Sequence, residues 1–175
     1  MIRILLSTCV VLFGISPVLA QTAGDEQRLK AAFVLRFPQF VVWPPAAVTG
    51  HTTLDICVSG SRATESALRE LTAGESLNGL RLVVRDTPPE NQLSSCHVLV
   101  LGGARPDREL MARAAPLPVL TVGDSPTFLD EGGIIQLKVV DRRVRFEISM
   151  PAAARAGLSL SSQLLRLAAT VRGGP

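Results

Sequence analysis

The stretch SCHVLVLGG, residues 95–103, indicates the fold class of this chain. Its middle is a continuous apolar run that two glycines end, which is typical of a strand buried on both faces of a sheet. Similar runs precede and follow it, with helical segments between them. Strands are predicted at residues 53–58, 80–85, 96–101 and 118–122, and helices at residues 63–71 and 106–114. This alternation predicts a mainly parallel sheet that helices cover on both faces.

The last third of the chain has a different pattern. Residues 134–140 and 144–149 alternate apolar and polar side chains, and residues 141–143 join them, so we expect an antiparallel hairpin at a sheet edge. The predicted fold class is therefore α/β: a single three-layer domain with a mainly parallel sheet and an antiparallel C-terminal hairpin. Further helices are expected at residues 25–37, 125–130 and 152–156 and after Ser159 or Ser161, with a frayed tail at residues 172–175.

The first twenty residues have the order of a secretory signal. A basic residue precedes an apolar run at residues 4–15, and small residues precede a cleavage point after Ala20. The alternative is a membrane anchor, but the run is shorter than the roughly 20 residues that span a bilayer. We therefore expect residues 1–20 to be removed on export and residues 21–175 to form one α/β domain.

Removal of this leader leaves two cysteines, Cys57 and Cys96. An exported chain is in an oxidising compartment, where an even pair is typical of a disulfide. Two buried free thiols are the alternative. If the sheet has a flavodoxin-like strand order, the first and third strands are neighbours, and the two cysteines are close enough to bond.

Composition and motifs disfavour several functions. Lys and Arg number 18 against 15 Asp and Glu, and the net charge of +3 is too small for a nucleic-acid-binding stripe. Two histidines and no Cys-x-x-Cys motif predict no metal site, and the glycine turns match no cofactor-binding motif. A hydrolase would need Ser125, His97 and Asp124, but no G-x-S-x-G motif is present and Ser125 is better used as a helix cap. We expect no catalytic residues.

Eight segments carry a resemblance to other sequences. They are KAAFV (30–34), FVVWP (40–44), LDICVSG (54–60), SCHVL (95–99), VLTVGD (119–124), GGII (132–135), RFEI (145–148) and AGLSLSSQLL (156–165). In this order they resemble the motifs of the YfiR-like family of periplasmic proteins. The resemblance extends from about Lys30 to Val171, which is nearly the whole mature chain.

The resemblance implies a function as well as a fold. It implies a periplasmic protein, commonly a homodimer, that represses a membrane-bound diguanylate cyclase, or acts on a related receptor, by binding its periplasmic domain. An outer-membrane lipoprotein is the second partner implied. By position, Cys57 and Cys96 match the family's structural disulfide. A second cysteine pair, found in the best-known member, has no counterpart in this chain.

One candidate binding surface follows from the aromatic segment. Phe37, Phe40, Val41 and Trp43 cluster beside prolines. They form either part of the core or an exposed partner or dimer contact, since aromatic side chains are favoured at protein interfaces. The second reading agrees with a regulatory protein that acts by binding.

A second candidate site lies near the predicted hairpin. Arg145 and Glu147 point to one face of their strand, and with Asp124 they would border the crevice at the strand ends, where α/β proteins bind ligands. They form either a solvated ion pair or the edge of a ligand pocket. The alternative function is therefore a periplasmic small-molecule sensor for another membrane signalling receptor.

Overall fold

The computed structural model describes residues 18–105, 107–141 and 143–174. The predicted signal peptide lies almost entirely in residues 1–17, outside the described residues. The strands are β1 (Val41–Val42), β2 (Thr53–Ser59), β3 (Ser76–Leu77), β4 (Leu80–Asp86), β5 (Val98–Leu101), β6 (Leu120–Gly123), β7 (Ile135–Val140), β8 (Arg143–Ser149), β9 (Ser159–Leu160) and β10 (Thr170–Arg172). The helices are α1 (Val18–Arg36), α2 (Pro45–Val48), α3 (Arg62–Thr72), α4 (Arg108–Ala114), α5 (Met150–Arg155) and α6 (Ser162–Leu167), with 3-10 turns at Phe37–Phe40 and Glu90–Ser95.

Within the described residues, eight strands form one sheet in the order β10-β8-β7-β6-β5-β2-β4-β3. The run from β4 through β2, β5 and β6 to β7 is parallel, whereas β3 pairs antiparallel with β4 and β8 pairs antiparallel with β7. This confirms the predicted α/β fold with a mainly parallel sheet and an antiparallel hairpin. Strands β2 and β5 are neighbours, with Ile56 opposite Val98, as the flavodoxin-like order requires.

Alternate residues of the central strands point into two apolar cores. Ile56 and Val98 belong to a core that also contains buried residues of α1 and α3. Cys57 and Leu99 belong to a second core, which contains buried residues of α4. Because successive side chains of a strand point to opposite faces, the two cores lie on opposite sides of the sheet. Helices therefore cover both faces, which gives the three layers of the fold.

Prolines and hydroxyl side chains set the helix ends. Helix α1 ends at Arg36 because Pro38 has no N–H to continue the helical hydrogen bonds, and the chain goes on as a 3-10 turn. Its described start, Val18, precedes the predicted start at residue 25 by two turns. Ser61 caps α3 by accepting a hydrogen bond from the backbone N–H of Thr64 at 3.2 Å.

The helix predicted at residues 125–130 is wrong, since this segment is a series of turns. The ring of Phe128 is fully buried and lies against both Gly123 and Gly133. The backbone N–H of Gly133 donates to the carbonyl oxygen of Phe128 at 2.9 Å, which closes the loop around the ring. Packing of one aromatic side chain thus overrides the helix-start signal of Ser125 and Pro126.

The frayed tail predicted from residue 172 is also wrong in part. Arg172 ends β10, which pairs parallel with β8 and places Arg172 opposite Ser149. A second unexpected pairing joins β1 to β9, with Val41 opposite Leu160. This small sheet attaches the segment after α1 to the segment before α6. Both pairings join residues that are distant in sequence, so local patterns do not indicate them.

Candidate functional site

The aromatic segment after α1 belongs mostly to the core of this chain. Phe37, Val41 and Trp43 are buried, and Phe40 is half-buried. The Phe37 ring packs edge-on against Phe146 of β8, with centroids 5.2 Å apart. Thus only Phe40 among the four predicted contact residues has appreciable exposed surface.

An apolar groove of about 230 Å³ opens beside this segment, and we call it the α1–α6 groove. It is lined by Leu29, Ala32, Phe33, Arg36, Phe37, Phe40, Phe146, Leu164 and Leu167. The members from α1 recur every three or four residues, so they form one stripe along that helix. Leu29 and Leu167 are 42% and 63% exposed. The groove therefore contains two of the predicted contact residues, Phe37 and Phe40, and extends the surface beyond them.

The groove exists because α6 is short and capped. Ser161 accepts a hydrogen bond from the backbone N–H of Leu164, which starts the helix with Leu164 buried against the core. The helix ends at Leu167, so no further helical turn covers the Leu167 side chain, which remains exposed. Helical spacing alone puts Leu164 and Leu167 on one face of α6. The sequence does not indicate the groove, because periodicity shows which face of a helix is apolar and not how far another element covers that face.

Asp124, one of the predicted ligand residues, lies just beyond β6 in an ion-pair cluster. The ammonium group of Lys30 donates to its carboxylate at 2.8 Å and also contacts Glu26 at 2.8 Å. Burial lowers the pKa of Lys30, but the hydrogen bonds and charges of Asp124 and Glu26 outweigh burial and leave this pKa above its ordinary value. The lysine therefore stays charged and attaches α1 to the carboxyl end of the sheet.

Glu147 and Arg145 lie on β8, as the hairpin pattern indicated. Glu147 accepts a hydrogen bond from Lys138 of β7 at 2.7 Å, and Arg172 of β10 is 3.9 Å away. A pocket of about 310 Å³ is lined by Lys138 and Asp124 together with residues of α1 and β7. Lys138 thus links Glu147 to the pocket that Asp124 lines, but Glu147 is not itself among the lining residues. Arg145 is exposed and is not among the residues that line this pocket.

The residues considered for acyl transfer lie at opposite ends of two neighbouring parallel strands. His97 directly precedes β5 and Ser125 follows β6, and these two strands are parallel, with Val98 opposite Leu120. The Ser125 hydroxyl donates to the carbonyl oxygen of Ala104 at 3.1 Å. The structure therefore does not bring Ser125 and His97 together.

His97 is a buried group with a defined tautomer. Its Nδ1 accepts a hydrogen bond from the backbone N–H of Asp55 at 3.1 Å, so the neutral ring carries its proton on Nε2. Burial lowers the pKa of His97 below its ordinary value; the charge of His51 lowers this pKa further, and that of Asp55 opposes the change. The Trp43 ring lies edge-on to it, with centroids 6.4 Å apart.

The crevice between β2 and β5 is filled by backbone. The N–H of Gly102 donates to the carbonyl oxygen of Ser59 at 2.9 Å. A Cβ at Gly60 would collide with the carbonyl oxygen of Gly102, and a Cβ at Gly102 would collide with Ser61. These glycines permit the two turns to touch. Because the two turns touch, a phosphate group cannot enter between them.

The predicted disulfide between Cys57 and Cys96 is present. Cys57 lies in β2 and Cys96 lies two residues before β5, and their Cα atoms are 5.8 Å apart. Both residues are buried in the core beneath α4. The bond therefore joins two central, adjacent parallel strands across 39 residues of sequence.

Nowhere in residues 18–105, 107–141 and 143–174 do three or more His, Cys, Asp or Glu side chains form a group that could hold a metal ion. In the same part of the chain, no helix combines the length and apolar character needed to cross a bilayer.

The comparison with protein-family models agrees with the motifs in the sequence. A family model described as YfiR/HmsC-like matches residues 27–169. Among solved structures, the chain is similar to a conserved domain protein from Vibrio cholerae O1 biovar El Tor strain N16961, with 12% sequence identity and a TM-score of 0.47. That alignment covers 73% of this chain and 57% of the Vibrio chain.

Proposed function

Since this chain belongs to the YfiR/HmsC-like family, we propose that it represses a membrane-bound diguanylate cyclase by binding the periplasmic domain of that enzyme. Members of the family are periplasmic regulators of cyclic-di-GMP signalling rather than enzymes. In this proposal residues 1–20 direct export and are then cleaved off. In this proposal the protein is a homodimer, and an outer-membrane lipoprotein controls its availability.

The observation that carries this proposal is an apolar surface that no other part of the described chain covers. The α1–α6 groove contains Phe37 and Phe40, and Leu29 and Leu167 are exposed beside it. Exposed apolar surface of this kind marks contact sites for other proteins. By contrast, the hydroxyl group of Ser125 makes structural hydrogen bonds. These features support a protein that acts by binding a partner protein.

Deletion of the gene tests the proposed function. Cyclic-di-GMP should rise in the deletion strain and return to the wild-type level when the full chain is supplied. A purified periplasmic fraction should contain the protein without residues 1–20, as mass spectrometry of the intact chain would show. An unchanged cyclic-di-GMP level would refute repression, and an intact leader would refute export by cleavage.

The pocket near Asp124 favours a second candidate function, a periplasmic sensor of a small molecule for another receptor. Opposite charges from Lys30, Asp124 and Lys138 border a space of about 310 Å³, and Glu147 is bonded to Lys138. A metabolite that raises the melting temperature should lose this effect when Asp124 or Lys138 is replaced by alanine. Arg145→Ala tests whether the exposed arginine also contributes.

A further inference from the structure

The α1–α6 groove concentrates the aromatic residues of this chain. Four of its six phenylalanines line the groove. Phe33, Phe37 and Phe146 form a connected floor, with ring centroids 5.2–6.3 Å apart. Such a floor is already packed in this chain, so a ligand that covers it needs no rearrangement of the core.

We propose that this groove binds an amphipathic helix of a partner protein, and that Arg36 pairs with an acidic residue of that helix. The inference rests on the proposed function, since it identifies where and by what chemistry the partner is recognised. It extends the predicted contact surface to Leu29, Arg36 and Leu167.

The shape of the groove fits one helix. Its wall on α1 runs from Leu29 to Arg36, seven residues along the axis, which is about 10 Å or two helical turns. A partner helix presents apolar side chains at i, i+3 or i+4, and i+7 over the same distance. Nine residues line the groove, whereas a standard interface involves roughly 20–30 residues on each side. The groove is therefore sized for a single segment rather than a broad face.

The charge of the groove selects an acidic segment. Arg36 is the one charged residue among those that line it, and it is exposed. Among the described residues, no ion pair to Arg36 is present. A carboxylate of the partner could bind its guanidinium group with two parallel hydrogen bonds. The apolar floor beside it would exclude water and strengthen that pair.

The same charge disfavours a second copy of this chain as the occupant. A two-fold dimer contact places one surface against itself. Two α1–α6 grooves facing each other would bring Arg36 towards Arg36 with no acidic residue among the lining side chains. Like charges facing each other across an interface oppose association. A separate acidic helix therefore fits better than self-association at this surface.

Repression by groove variants provides the first test. Leu167→Glu and Arg36→Glu are each supplied as the full exported chain to the deletion strain, with Ala112→Glu on α4 and Arg81→Glu as controls at exposed positions elsewhere. We expect the two groove variants to leave cyclic-di-GMP at the deletion level, and Arg36→Lys and both controls to restore it. All variants should keep the wild-type melting temperature, because the positions are exposed.

The outcomes separate the two proposals. If deletion raises cyclic-di-GMP but the groove variants repress like wild type, the groove inference is overturned and the proposed function stands. If Ala112→Glu is as damaging as Leu167→Glu, the loss is not specific to the groove and the inference also fails. If deletion has no effect on cyclic-di-GMP, the proposed function fails, and the second test below decides the groove inference alone.

Photocrosslinking identifies the occupant directly. p-Benzoylphenylalanine is placed at position 167 of the full chain, with position 112 as control. The cells are irradiated intact, and the attached peptide is sequenced by mass spectrometry. We expect the adduct at 167 to contain an amphipathic helical segment with Asp or Glu beside its apolar face, and Arg36→Glu to reduce its yield roughly tenfold or more. An adduct with a second copy of this chain, an adduct unaffected by Arg36→Glu, or no adduct would overturn the inference.

Discussion

The Phe128 ring packs between Gly123 and Gly133 and leaves no space for a side chain at either position. This geometry predicts that Gly133→Ala destabilises the protein when Phe128 is present and does not when Phe128 is replaced by alanine. A Cβ added at Gly133 would lie 2.7 Å from Cζ of the Phe128 ring, and one at Gly123 would lie 2.9 Å from the same atom. The ring is fully buried and cannot swing into solvent. Gly133→Ala should therefore destabilise the protein by about 1–3 kcal/mol through overpacking.

The same substitution should be neutral or stabilising once the ring is removed. Phe128→Ala alone should cost about 3–5 kcal/mol, because it leaves a cavity in the core beneath α4. In that background the added methyl group of Gly133→Ala has space. Gly133 does not adopt a positive φ, so alanine should add about 0.4–1 kcal/mol by restricting the unfolded chain.

Urea unfolding of the four proteins in this cycle, monitored by circular dichroism, measures the coupling. Gly132→Ala is the matched control, since Gly132 has a φ of +95° and no contact with the ring. It should destabilise the protein equally with and without Phe128. Equal costs of Gly133→Ala in both backgrounds would refute the argument that the ring and the missing side chain compete for one space.

The remaining predictions concern the disulfide and two buried ionisable groups. Alanine at both Cys57 and Cys96 should lower the free energy of unfolding by about 4 kcal/mol, from closure of a 39-residue loop; an unchanged urea midpoint would contradict this. The pKa of His97 is lower in the folded state, so stability should be full above the ordinary histidine value of about 6.5 and fall as the pH drops below it. His97→Gln should flatten that slope in urea titrations at several pH values. Lys30→Met should cost about 1–3 kcal/mol, because it leaves Asp124 half-buried without its ammonium partner, whereas Lys30→Arg should recover part of that loss in thermal melts.

Strands with strong local patterns could be predicted from the sequence. The apolar run that contains β5 and the alternating residues of β7 and β8 indicate their elements without help from the rest of the chain. Elements that depend on distant partners could not. Strand β10 has three residues, and the hydrogen bond from Ala169 N–H to the carbonyl oxygen of Phe146 at 2.8 Å leads it to β8. Nothing within its own sequence distinguishes this strand from a frayed end.

The candidate site was predictable only in part for the same reason. Helical spacing within the helix predicted at residues 25–37 puts its apolar residues on one stripe with Arg36 at the border, and this stripe is one wall of the groove. The opposite wall comes from α6, more than 120 residues later. Whether Leu167 covers Phe33 and Phe40 or remains 63% exposed depends on where α6 ends relative to α1. Helical periodicity contains no information about that relation.

The position of the disulfide constrains how redox state could influence partner binding. Cys57 and Cys96 are in the core beneath α4, whereas the floor of the α1–α6 groove belongs to the core on the other face of the sheet. Reduction therefore removes a constraint on the unfolded chain without removing any side chain that touches the groove. It should change how much of the protein is folded, and hence its resistance to proteolysis, while folded molecules keep the same groove. Redox control through this bond would then act on abundance, and affinity measured per folded molecule would stay constant.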